Sequence, residues 1–158
     1  MKKKLLKITV LIVLAMWGFY TLGSLFAPGS YPNAEVYEIE MSDSLLIERI
    51  KKFKINNPSY DIPSATGLTD DVLGQEDKWI MCYFYYQKEN QIVQTWVRKF
   101  NNTSCQFAIV SINDGMEIGK WKDLNHDYGF FETIKERDKF EERILKPLKV
   151  NFKRTSIF

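Results

Sequence analysis

The sequence predicts an α+β domain in which an antiparallel sheet packs against two helices. Strand-like runs rich in Trp, Tyr, Phe, Val and Ile occupy 78–87, 91–100 and 104–113, and only the polar stretches 88–90 and 101–103 separate them. Two other segments repeat apolar residues every three or four positions, the period of a helix with one buried stripe. A short segment ahead of the first helix alternates polar and apolar side chains. The expected sheet is therefore a three-strand meander plus one N-terminal strand, with one transmembrane helix preceding the domain.

The transmembrane expectation rests on the start of the chain. Residues 8–27, from Ile8 through Trp17 to Ala27, carry no charge and follow Lys2, Lys3, Lys4 and Lys7. A helix of that length spans about 30 Å, the thickness of a bilayer's hydrocarbon. No Lys or Arg follows until Arg49, so the positive-inside rule puts tail 1–7 in the cytoplasm and residues 35–158 outside it. A cleaved signal peptide fits less well, because the apolar run is long and the candidate cleavage points are preceded by Leu25 or Thr21. The expected localisation is the bacterial inner membrane, single-pass, with a signal-anchor at 8–27. A Pro/Gly linker over 28–34 would hold the extracytoplasmic domain near the bilayer.

Within the domain, 35–40 has the period-2 pattern of a half-buried strand. Ser42 and Asp43 can cap the helix that follows, since their oxygens accept from its free N-terminal amides. Leu46, Ile50 and Phe53 form its buried stripe, Lys51, Lys52 and Lys54 fall off it, and Asn56-Asn57-Pro58 ends it. Residues 58–77 hold turn formers and no periodicity. After the three strand runs, Asn113-Asp114-Gly115 marks a turn, and 116–132 is again irregular. Thr133 and Glu136 make a capping-box pattern, and Phe140, Ile144 and Leu148 continue as a last helix whose end, 146–154, is basic and solvated.

Closing each hairpin at its polar connection sets Cys82 opposite Trp96 and Trp96 opposite Ile109. One face then gathers Ile80, Cys82, Phe84, Tyr86, Ile92, Gln94, Trp96, Arg98, Phe100, Phe107 and Ile109. The other holds Met81, Tyr83, Val93, Val97, Ala108, Val110 and Ile112, a compact set suited to two helices. The irregular segments 58–77 and 113–131 are expected over the aromatic face. There, Tyr86, Gln94, Trp96 and Arg98, with Trp121 from the second segment, form the candidate ligand or partner surface. The plainer reading is that these segments complete a second small core. Cys82 and Cys105 lie on strands separated by the middle one, about 10 Å apart, so they are expected as free thiols.

Several chemistries find no support. The net charge is +2 and the charges are interspersed, unlike the concentrated basic patch of a nucleic-acid binder. His126 is the one histidine and has no Cys or His companion at zinc-ligand spacing. A Cys–His nucleophile needs an exposed, electropositive thiol, and Cys82 sits in an apolar run. The acidic stretch Asp70, Asp71, Glu76 and Asp77 lacks the alternation of a calcium loop. No catalytic residue, cofactor or metal ligand is predicted.

The stretches 107–115, Phe107-Ala108-Ile109-Val110-Ser111-Ile112-Asn113-Asp114-Gly115, and 119–125, together with Lys139-Phe140-Glu141-Glu142-Arg143-Ile144-Leu145, resemble uncharacterised small bacterial envelope proteins with one N-terminal membrane segment. The resemblance implies no activity or site residue. The functional expectation is a membrane-tethered binding or assembly module of the cell envelope, touching the lipid bilayer and an envelope protein partner. The alternative is a small envelope hydrolase with its cleft on the aromatic sheet face.

Overall fold

The computed structural model describes residues 12–13, 31–71 and 79–155. The chain divides into two compact units, Met1–Pro32 and Asn33–Phe158; the architecture that follows is that of the second.

Alternation in Glu35–Ile39 produces strand β1, which buries Tyr37 and Ile39 completely. Helix α1, Asp43–Asn56, begins where the Ser42 hydroxyl accepts from the Leu45 amide at 3.3 Å, and it buries Leu46, Ile47, Ile50 and Phe53. Strands β2 (Ile80–Tyr86), β3 (Gln91–Lys99) and β4 (Cys105–Asp114) form the predicted meander. A short β5, Trp121–Asp123, pairs with β4. Helix α2, Phe130–Phe140, runs into a π-helical turn at Glu141–Leu145, and β6, Phe152–Arg154, closes the edge beside β1. The strand order is β2-β3-β4-β1-β6 with β5 off β4, and every pairing is antiparallel. Both cysteines are free and buried, as strands one place removed from each other require.

The α+β class and the meander stand, but the predicted strand count does not. The sheet has six strands among the described residues rather than four. Strands β5 and β6 have three residues each, too few to leave a readable period. β5 lies inside the segment expected to be irregular, and β6 inside the expected solvated helix end.

The register is corrected by one residue. Cys82 pairs with Thr95, and Trp96 lies between Met81 and Ala108. The β2–β3 pairing closes at Tyr86 and Gln91, so Gln87 belongs to the turn with Lys88, Glu89 and Asn90. Asn90 takes a left-handed φ of 54°, a conformation that asparagine tolerates better than most residues. A one-residue slip moves a whole strand's side chains to the other face. Val93, Thr95 and Val97 therefore face the helices beside Cys82, Phe84, Phe107 and Ile109, while Gln94, Trp96 and Arg98 point away. A bulge at Val110, between the Thr95–Ile109 and Gln94–Ser111 pairs, brings Ile112 back to the helix side.

Three local expectations also change. Lys54 is buried, because its amine reaches Asp70 at 2.5 Å. Segment 58–71 packs at the β2 edge on the helix side: Tyr60 meets Phe53 and Tyr86 with ring centres 5.0 and 6.1 Å apart. Asp70 and Asp71 accept the Tyr83 and Met81 amides, each at 2.8 Å, which covers that sheet edge. Helix α2 starts three residues before Thr133, where Glu132 reaches back to the Gly129 amide at 3.1 Å. The Thr133 hydroxyl instead donates to the Leu124 carbonyl, and Leu124 is fully buried in the core.

The membrane reading is corrected as well. Among the described residues, no helix is long and apolar enough to cross a membrane. The expected span 8–27, with Ile8, Trp17 and Ala27, lies outside the described residues except for Ile12 and Val13, which are helical. An uncharged run measures apolarity; it does not identify what covers that surface. The transmembrane helix, the single-pass topology and the inner-membrane localisation are therefore set aside.

Candidate functional site

The predicted surface is divided between two sides of the sheet. Gln94, Trp96, Arg98 and Trp121 share the face turned away from α1 and α2, and Tyr86 lies on the helix side. On the first face Arg98 and Gln94 are bonded within the protein. The Arg98 guanidinium stands 4.4 Å from the Trp79 ring centre and 5.5 Å from that of Trp96, and its Nε donates to Gln106 at 2.7 Å. Gln94 accepts from the Ser111 hydroxyl at 2.6 Å. Trp79 meets Trp96 edge-on at 4.3 Å, and Trp96 is buried. Trp121 packs against Tyr83, with ring centres 6.3 Å apart. Sequence reasoning did not single out Trp79, the residue that completes this stack, although it falls in the predicted strand run 78–87; the structure places it just ahead of β2.

Tyr86 belongs to a different construction. The β2–β3 turn, the 3-10 turn Pro58–Tyr60 and the π turn after α2 converge on a cleft of about 210 Å³ whose walls include Tyr60, Tyr86, Glu89 and Arg143. The wider π turn carries Arg143 over the Tyr86 ring, 5.0 Å from its centre. Two of its nitrogens donate to the Glu89 carboxylate at 2.6 and 2.9 Å. That fork of hydrogen bonds, acting against a smaller effect of burial, holds the Glu89 carboxyl below its ordinary range. Lys139 lies 5.8 Å from the same ring centre and bonds Glu136 at 2.6 Å and Gln91 at 3.2 Å. Gln91 and Lys122 in turn hold Asp114. Burial raises the Tyr86 phenol, and its hydroxyl has no hydrogen-bond partner among the described residues. Tyr60, Glu89 and Arg143 come from three separate segments, and nothing in their local spacing announces the site.

The nucleophile candidates lie elsewhere. Burial pushes both thiols, Cys82 and Cys105, up to about 12, far from the thiolate that reaction requires. His126 is exposed and 2.7 Å from Asp127. Among the described residues, no three or more His, Cys, Asp or Glu side chains gather as a metal would need.

A third feature is apolar. Phe130 and Phe131 are 75% and 82% exposed, and their rings meet edge-to-face with centres 5.4 Å apart. The α2 cap fixes the backbone beneath them.

No protein-family model, curated protein or solved structure matches this chain.

Proposed function

We propose that the protein is a binding module that docks a protein partner through Phe130 and Phe131. The carrying observation is their exposure, in contrast to the buried Phe53, Phe84, Phe107 and Phe140. A single exposed apolar residue is ordinary, but two adjacent aromatics on a capped helix turn make a patch. Aromatic side chains supply much contact area for little lost rotamer freedom, and anchors of this kind dominate protein interfaces. The hydrolase reading draws less support: Gln94 and Arg98 are bonded to neighbours, and the Glu89 and Glu136 carboxylates are each bonded to a cation.

A photo-crosslinking phenylalanine analogue placed at 131 in the full chain tests this in the source cells. One discrete protein adduct is expected, lost on adding Phe130→Ser, with none from the same probe at exposed Glu142. Equal adduct patterns from 131 and 142, or no adduct, would overturn the proposal.

A further inference from the structure

We propose that the cleft beside Tyr86 binds a small organic carboxylate carried on a flat apolar body. Its floor is aromatic, because the Tyr60 edge meets the Tyr86 ring at 89°. Its polar wall carries two cations, Arg143 and Lys88, and Glu89 is the one carboxylate lining it among the described residues. A guanidinium beside an aromatic floor suits a ligand with a charged planar acceptor and an apolar ring.

Glu89 already shows how a carboxylate sits on Arg143, with both oxygens bonded at 2.6 and 2.9 Å. The two side chains are 33% and 30% exposed, so the pair is open to solvent and to a competing anion. An incoming carboxylate can therefore exchange with Glu89 on the guanidinium. Size narrows the ligand further. The cleft's 210 Å³ is below the roughly 300–1,000 Å³ of pockets for drug-sized molecules, yet a cavity of about 150 Å³ already admits benzene. One ring and one carboxylate fill it.

The test is benzoate titrated into the full ¹⁵N-labelled chain, with benzyl alcohol and acetate as the neutral and ring-less controls. Saturable shifts are expected at the amides of Tyr60, Tyr86 and Glu89 with benzoate, and with neither control. Glu89→Gln, which removes the competing carboxylate, should tighten binding several-fold. Arg143→Gln should weaken it about tenfold or more, the loss expected for a charge-assisted bond. No saturable shift in either the wild type or Glu89→Gln would overturn the proposal. So would equal affinity in Arg143→Gln, or acetate reproducing the benzoate shifts. Any of these leaves the Phe130–Phe131 reading standing, because crosslinking at 131 tests that separately.

Discussion

On the face of the sheet that meets the helices, Phe84, Phe107 and Phe140 pack ring against ring, with centres 5.3 to 6.4 Å apart for the Phe84–Phe107 and Phe107–Phe140 pairs. On the opposite face, Trp79, Trp96 and Arg98 stack, and Arg98 and Gln94 bond to Gln106 and Ser111. The same strands supply both faces, yet one is held by shape and burial and the other by stacking and hydrogen bonds. Shape-filled cores respond steeply to lost volume, because the surroundings collapse only in part. Stacked and bonded groups retain contacts with neighbours when one member is trimmed.

That contrast predicts unequal responses to truncation. Phe107 is fully buried at the meeting point of β4, β2 and α2, so Phe107→Ala should cost about 3–5 kcal/mol of unfolding free energy. Urea denaturation of the full chain measures it. A loss under about 1.5 kcal/mol would mean that the helix side repacks as readily as the other, and the contrast would fail. Arg98→Ala should cost less, about 1–2 kcal/mol, the sum of a partly buried cation–π contact and one hydrogen bond to Gln106. Arg98→Lys should recover only part of it, since an ammonium keeps the charge and loses the planar stack. A loss equal to that of Phe107→Ala would show that the outer stack carries the fold as much as the core does.

Which residues meet on each face was only half legible in the sequence. Ile80, Cys82, Phe84, Phe107 and Ile109 do share a face, because period 2 within one strand fixes that much. The assignment of Trp96 and Arg98 to the same face failed at both pairings: Gln87 lies in the turn rather than in β2, and Trp96 pairs with Ala108 rather than Ile109. Turn length sets register, and nothing in Gln87 itself distinguishes the last strand residue from the first turn residue. Lys54 was misread for a related reason: an apolar stripe was the criterion, and its charge is masked by Asp70, sixteen positions away. The Tyr86 cleft depends on contacts over longer separations still, with Glu89 and Arg143 fifty-four residues apart. Of its walls, only Tyr86 could be singled out beforehand, and then on the wrong side of the sheet.

The smallest expected effect lies at the polar margin of the helix side, where Asp114 closes the row begun by Tyr86 and Gln91. Bonds from Lys122 first and Gln91 second lower the Asp114 carboxyl below its ordinary value. A carboxyl lowered on folding stabilises the native state fully above its unfolded pKa of about 3.9, and that contribution fades as the pH falls through the lower folded value. Its side chain is 44% exposed, so water screens the pair and the contribution is at most about 1 kcal/mol. Asp114→Asn should therefore flatten the acid side of the stability curve by up to that amount below about pH 4 and leave the slope between pH 6 and 8 unchanged. Urea midpoints taken from pH 2.5 to 8 check it. Phe107 itself does not titrate and meets Phe84 and Phe140, so the acid limb of Phe107→Ala should run parallel to that of the wild type. A steeper acid limb in Phe107→Ala would show that the apolar core and its charged margin act as one unit, and the division between packed and bonded regions would have to be redrawn along the strands.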